Sequence, residues 1–302
     1  MNAPTYVSLQ DFASSFGEDH DTLPSWVHPH ASTPHLLEQL GLRHRLEDVL
    51  DTVVALQRAE RLHDGVYAGP DSMVDVYRDV LEAARTLHIA VPPAILAPIP
   101  MRSQGCFGTD GRAYLSLSTW FFAGAPVPER LFLAGRLCGH IAAKQVTANT
   151  MFSLIADQSG IRQMARRSLG PVLDVILAPV SLGVRLALSR WHRSAVITND
   201  RAGLLVSRDV EASCNALLYM ALARRPEIDV STYLGQREVH ADGPGKWTEL
   251  WAAEPWTHKR MRAMEIFSRS EVYARLTGEP VENPLSRDEL NEQTTKLLGV
   301  SA

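Results

Sequence analysis

The side chains of this 302-residue chain that can hold a metal or move a proton include eleven histidines, and their spacing limits the chemistry open to it. One common hydrolytic zinc site uses two histidines four residues apart on one helical face, a glutamate between them to activate the metal-bound water, and a further ligand from elsewhere. No two histidines here stand four apart. His28, His30 and His35 crowd a segment interrupted by prolines, where no regular element fixes their geometry, and are read as exposed loop residues. His192 and His258 are read as structural or surface residues, candidates for a metal only if a site has been rebuilt from unfamiliar positions. Cys106, Cys138 and Cys214 form no C-x-x-C pair, so neither a disulfide framework nor a cysteine zinc knuckle is indicated. Neither a G-x-S-x-G elbow nor a Walker loop is present, which removes the common serine-hydrolase and nucleotide readings.

The elements that must position these residues are mostly helical. Apolar residues from Leu36 to Leu56 recur at helical spacing, and a turn containing Gly69-Pro70 opens a second helix over about 72–87. The proline-rich segment from Val91 to Pro100 is expected to enter an edge strand, and Gly105, Gly108 and Gly111 to punctuate a turn. Residues 113–118 alternate apolar and small polar side chains, the period-two mark of a half-buried strand. Helices are predicted over about 127–147, 151–167, 171–206 with breaks, 209–223, 231–236 and 257–276. His240 to Gly243 reads as a turn, and the tail from Glu279 as a short, loosely packed polar helix.

Four blocks in order, Tyr114 to Ser118 with Pro128 to Leu131, Leu133 to Ile141, Trp191 to Leu205 and His258 to Tyr273, give the chain, over roughly residues 72–277, a resemblance to the HtpX and CAAX prenyl protease family of zinc metallopeptidases. Tyr114 to Ser118, followed by Pro128-Glu129-Arg130-Leu131, looks like that family's strand and the start of its active-site helix. Leu133-Ala134-Gly135-Arg136-Leu137-Cys138-Gly139-His140-Ile141 is similar to its L-A-H-E-L-G-H-I. Trp191 to Leu205 resembles W-x-R-x-S-E-x-S-A-D-R-A-G-L-L, the most specific of the matches, and His258 to Tyr273 resembles its terminal helix and S-x-E-Y ending.

Carried over residue by residue, the resemblance places the two histidine ligands on Arg136 and His140, the catalytic glutamate on Leu137 and the third ligand on Val196. One of the four is retained. Asp200, which the family keeps beside the metal ligands, is present. Leu137 accepts no proton and Val196 offers no lone pair, while a guanidinium at 136 repels a divalent cation. Arg136 and His140 share one helical face, and Asp200 lies one turn beyond Val196. The expectation is therefore that Arg136 replaces the zinc charge by pairing with Asp200, with His140 hydrogen-bonded nearby.

Composition sets the remaining bounds. With 34 acidic against 30 basic residues the chain has no bulk attraction for nucleic acid. The basic run Arg162, Arg166, Arg167 reads as a solvated helix face. No basic, then apolar, leader opens the sequence, and with the cysteine usage this gives a cytoplasmic expectation. Leu169 to Leu188 nears the length of a membrane span, but Asp174, Pro179 and Arg185 interrupt it, so it reads as buried helix.

The fold class expected is α+β, mainly α-helical: a zincin-like metallopeptidase domain over 67–278 with a small sheet, a 1–66 extension that is irregular then helical, and a 279–302 tail with a short helix. The function expected is that of an inactive metallopeptidase homologue binding a protein or peptide partner in the former cleft, by adding a strand to a sheet edge. The cleft residues are Arg136, His140, His192, Asp200, Trp251 and Trp256. No cofactor is expected. The rival reading is an active zinc metalloendopeptidase with a relocated site built from His140, Asp200 and one of His192 or His258, and a third is a membrane-surface or scaffold protein.

Overall fold

The computed structural model describes residues 23–31, 43–156, 182–225, 227–238 and 254–299. The chain is α+β and mainly helical, around one mixed four-stranded sheet. Helix α1 (Arg43–His63) leads into β1 (Val66–Ala68), α2 (Val74–Thr86) and β2 (Ala94–Ala97). The hairpin β3 (Gly105–Thr109) and β4 (Arg112–Ser118) follows, then a short α3 (Thr119–Gly124), α4 (Val127–Ala142) and α5 (Val146–Ala156). Beyond these lie α6 (Leu182–Ser207), α7 (Val210–Leu222), α8 (Val230–Glu238), α9 (Thr257–Ser268), α10 (Glu271–Thr277) and α11 (Arg287–Leu298).

The sheet runs β1-β2-β4-β3, with β2 and β4 parallel and the two outer pairings antiparallel. Its two faces feed two cores, because successive side chains of a strand point to opposite sides. Leu115 and Leu117 of β4 pack with Val76 and Val80 of α2, Phe132 and Leu133 of α4 and Leu217 of α7. Tyr114, with Ile95 and Phe107 from neighbouring strands, packs with Leu50 and Val53 of α1, Met151 and Phe152 of α5 and Trp191 of α6. The alternation in β4 thus marks two buried faces, not the half-buried strand expected: Ser116 and Ser118 are also fully buried.

Residues 105–109 are a strand where a turn was expected, and the glycines there serve close approach. A Cβ on Gly105 would stand 2.7 Å from the Phe107 ring, and Gly108, at φ +132°, would place one 2.0 Å from the Arg112 carbonyl oxygen. The turn itself is Asp110-Gly111. The helix expected over 257–276 divides at Ser270, whose hydroxyl accepts from Tyr273 N and caps α10.

Helices α4 and α6 carry the residues of interest and cross closely. Gly135 and Gly139 make this possible, since a Cβ at either would lie 2.7 Å from Val206 and Ala202 respectively. Pro126 and Pro128 start α4, where the absent N–H groups have no intrahelical partner to lose. Asp79 of α2 accepts from Arg130 Nε at 2.7 Å and fixes the first turns of α4 against α2.

The described segments nearest the two termini, 23–31 and α11, pack more firmly than their composition suggests. Trp26 and Val27 join the larger core, and His28, expected to be an exposed loop residue, is 1% exposed. Its backbone N–H donates to Thr198 Oγ1 at 3.1 Å, and its Nε2 lies 3.3 Å from Thr295 Oγ1 of α11. Arg201 of α6 donates to the Trp26 carbonyl and to Thr294 Oγ1, each at 3.1 Å, tying both segments to the same helix. Leu290, Thr294 and Leu298 of α11 are buried, so the tail helix is not loose.

No described helix is long and apolar enough to cross a membrane. His35, Arg162, Arg166, Arg167, most of the Leu169 to Leu188 stretch, the His240 turn and Trp251 lie outside the described residues.

Candidate functional site

On α4, Arg136 and His140 are one turn apart and face α6; on α6, His192, Val196 and Asp200 recur at intervals of four and share a face. The crossing of the two helices brings these faces together. Arg136 Nε donates to Asp200 Oδ1 at 3.1 Å, the pair expected from the sequence. The same carboxylate, 1% exposed, also accepts a fork from α9: Arg260 Nε to Oδ2 and Nη2 to Oδ1, both at 2.7 Å. Arg260 Nη1 donates to Glu254 Oε2 at 3.1 Å, and Arg136 Nη2 lies 3.9 Å from Glu254 Oε1. Two guanidiniums and two carboxylates therefore form one cluster with no net charge.

His140 is not part of that cluster. Its ring is met by the Asn199 amide, with Nδ2 at 3.1 Å from Nδ1 and 3.2 Å from Nε2, and the same Nδ2 donates to Gln145 Oε1 at 3.3 Å. His192 stacks on Phe152 with ring centroids 4.0 Å apart, and neither of its ring nitrogens has a hydrogen-bond partner among the described residues.

Burial dominates the protonation of the site. It pushes His140 down to about 3, assisted by the Arg136 charge, and His192 down to about 4 against the pull of Glu254, with Arg136 and Arg260 acting in the same sense as burial. Both rings are neutral at neutral pH. Burial and the neighbouring Arg260 lower the Arg136 pKa against the pull of Asp200 and Glu254. For Arg260 the balance reverses: burial lowers its pKa, but Asp200 and Glu254 more than compensate and hold it above its ordinary value. Burial raises the Glu254 carboxyl, yet Arg260 and Arg136 hold it at about 2. Burial lifts the Cys138 thiol to about 12, so it behaves as a small core residue.

Beside the cluster lies a cavity of about 550 Å³. Arg136, Leu137, His140, His192 and Val196 line it from α4 and α6, and Glu254, Trp256, His258 and Arg260 from the other side. Its apolar wall comes from Met101, Phe107, Leu217 and Met220. Trp256 stands edge-on to His258 at 5.6 Å.

None of the protein-family models, curated proteins or solved structures compared with the chain matches it. What the site can do therefore rests on its own atoms. They do not fit a zinc ion. Leu137 and Val196 carry no donor atom, both Asp200 oxygens are engaged by guanidinium groups, and Arg136 holds a positive charge where the resemblance would put a first ligand. The relocated set fares no better: His140, His192 and His258 all line the cavity, but Asp200 is turned to the arginines. Among the described residues no group of three or more His, Cys, Asp or Glu is placed to hold a metal ion.

Sequence reasoning found Arg136 and Asp200 but missed Arg260, Glu254 and Asn199. Glu254 stands in a segment with no periodicity to place it. Arg260, two residues beyond the singled-out His258, was a detectable signal, because a buried carboxylate with one cation across a helix crossing invites a second.

The sheet edge nearest the cavity is already used. Asn149 Nδ2 of α5 donates to the Cys106 carbonyl at 3.2 Å, and Thr150 Oγ1 accepts from Gly108 N at 3.0 Å. The outward groups of β3 at these two residues are satisfied within the chain, which closes the strand-addition route there.

Proposed function

We propose that this chain is a catalytically inactive metallopeptidase homologue of the HtpX type, zincin-like in fold, which binds a protein or peptide segment in the cavity beside Arg136 without cutting it. The observation that carries this reading is the Arg136 guanidinium, hydrogen-bonded to a 1% exposed Asp200 at the position of the first metal ligand. A fixed cation there stands beside the buried aspartate in place of a metal ion and leaves no group to activate water. The cavity volume falls within the roughly 300–1,000 Å³ of small-ligand pockets, enough for a few side chains of a bound segment. Its wall of Met, Phe, Leu and Trp suits apolar side chains, while β3 is closed to an added strand.

The test is a defined peptide mixture, a tryptic digest of casein, passed over the immobilised full chain, with mass spectrometry of bound and unbound fractions and metal analysis of the protein. A subset of peptides should be retained intact, with and without chelator. Stoichiometric zinc together with chelator-sensitive new termini would establish the enzyme reading instead. Failure to retain any peptide would remove the binding reading.

A further inference from the structure

The two carboxylates of the charge cluster are held very differently. Asp200 is 1% exposed and accepts three hydrogen bonds from two arginines, whereas the Glu254 side chain is 43% exposed, with one bond at 3.1 Å and a second contact at 3.9 Å. Asp200 is fixed structure. Glu254 is the more exposed and less fully bonded of the two anions, at the wall of a cavity that it lines together with Arg136 and Arg260.

We infer that the cavity recognises a carboxylate carried by its ligand, which takes the place of Glu254 on Arg260 and Arg136. The inference rests on the peptide-binding reading and adds the chemistry of recognition. Three observations support it. Withdrawal of Glu254 leaves two guanidiniums facing one carboxylate, an excess of one positive charge. A monoanion balances that excess, whereas a dianionic phosphate overshoots it. The donors released, Arg260 Nη1 and Arg136 Nη2, are those that now face the two Glu254 oxygens, so a second carboxylate finds the same pair of donors waiting.

The third observation is independent of the arginines. His192 is 4% exposed, lines the same cavity and has no partner for either ring nitrogen among the described residues. A neutral imidazole offers one donor and one acceptor. Buried polar atoms are normally hydrogen-bonded, and a peptide ligand brings amide N–H and carbonyl groups that complete them. Phe107, Leu217 and Met220, which line the same cavity, then take the apolar side chain next to the carboxylate.

The experiment uses the full chain and three probes in calorimetry: N-acetyl-Phe-Leu with a free carboxylate, the same dipeptide amidated, and N-acetyl-Phe-Glu-amide. The free acid should bind, and the amide at least about tenfold more weakly, the effect of losing one charge-assisted hydrogen bond. Binding of the glutamyl amide in place of the free acid upholds the carboxylate and assigns it to a side chain; the converse assigns it to a chain terminus. Glu254→Gln, at an exposed position, should tighten binding of the acid without improving the amide. His192→Phe should weaken both. Equal binding of all three probes, unchanged by Glu254→Gln, overturns the carboxylate inference and leaves peptide binding standing. Absence of binding by any probe overturns the inference and counts against the peptide-binding reading as well.

Discussion

Removing the Asp200 carboxylate should be among the most damaging single changes available in this chain, and the geometry fixes an order of severity for its partners. Asp200→Ala leaves Arg136, 13% exposed, and Arg260, 8% exposed, side by side with only the half-open Glu254 to balance them. Breaking a buried ion pair by deleting one member costs about 3–5 kcal/mol, because the survivor is left charged and unpaired. Arg260→Met removes both short bonds of the fork and leaves Asp200 with a single contact at 3.1 Å, so it should approach the same cost. Arg136→Met removes that bond and the longer 3.9 Å approach to the half-open Glu254 but leaves the fork intact, for about 1 kcal/mol or less.

Urea unfolding followed by circular dichroism reads these differences directly. At a slope of about 3 kcal/mol/M, the first two changes move the midpoint down by roughly 1–1.5 M and the third by about 0.3 M, with slopes unchanged. Arg136→Met equal to Arg260→Met would refute the geometric argument. A near-neutral Asp200→Ala would refute it more thoroughly, since it would mean the two guanidiniums have solvent or another anion within reach.

Three further outcomes follow from buried groups elsewhere. His28, His140 and His192 each take up a proton near 6.5 when unfolded but only near 3, 3 and 4 when folded, so between these limits the unfolded chain binds more protons and stability falls with pH. Together they approach a slope of about 4 kcal/mol per pH unit below pH 6, and acid unfolding monitored by tryptophan fluorescence should be complete above pH 4. Asp79 and Glu129, whose carboxyls burial pushes up, work in the opposite sense as the pH falls through their raised pKa values. His192→Phe keeps the stack on Phe152 and removes two unpartnered nitrogens, so it should raise the thermal midpoint, by about 1 kcal/mol in stability, and flatten the acid slope by about a third. Gly139→Ala places a methyl 2.7 Å from Ala202 Cβ and 2.9 Å from Asn199 Oδ1; the overpacking cost of about 1–3 kcal/mol should exceed the helix-propensity gain of about 1, visible as a lower thermal midpoint.

What the sequence displayed was local and periodic. The alternation over 113–118 marked β4, the four-residue spacing of Arg136 and His140 marked a helical face, and Asp200 stood in register with Val196 on another; those faces, together with the family resemblance that set them at one site, foretold the Arg136–Asp200 pair. What stayed hidden depended on tertiary distance. Gly105 and Gly108 looked like turn residues because glycine's local preference says nothing of the Phe107 ring and Arg112 carbonyl that crowd them. His28 looked exposed between prolines, since the Thr198 and Thr295 hydroxyls beside it come from helices more than 150 residues away. The strand-addition route appeared open because the hydrogen bonds from Asn149 and Thr150 that close it join segments some forty residues apart.

The cluster also explains why a guanidinium at position 136 calls for a further anion. Asp200 lies 1% exposed on a helix that two glycines of α4 draw in close, so its charge must be met by a cation within the crossing. Arg260 alone meets it with a bidentate fork. Once position 136 also carries a guanidinium, the crossing holds one positive charge too many, and a second anion is needed on the cavity side, where neither α4 nor α6 supplies one: Leu137, Val196 and the neutral His140 and His192 are what those helices present. Glu254 fills that place from the segment before α9, and its 43% exposure marks it as the one member of the four that can leave. A site built this way selects an anion by charge balance before it selects anything by shape.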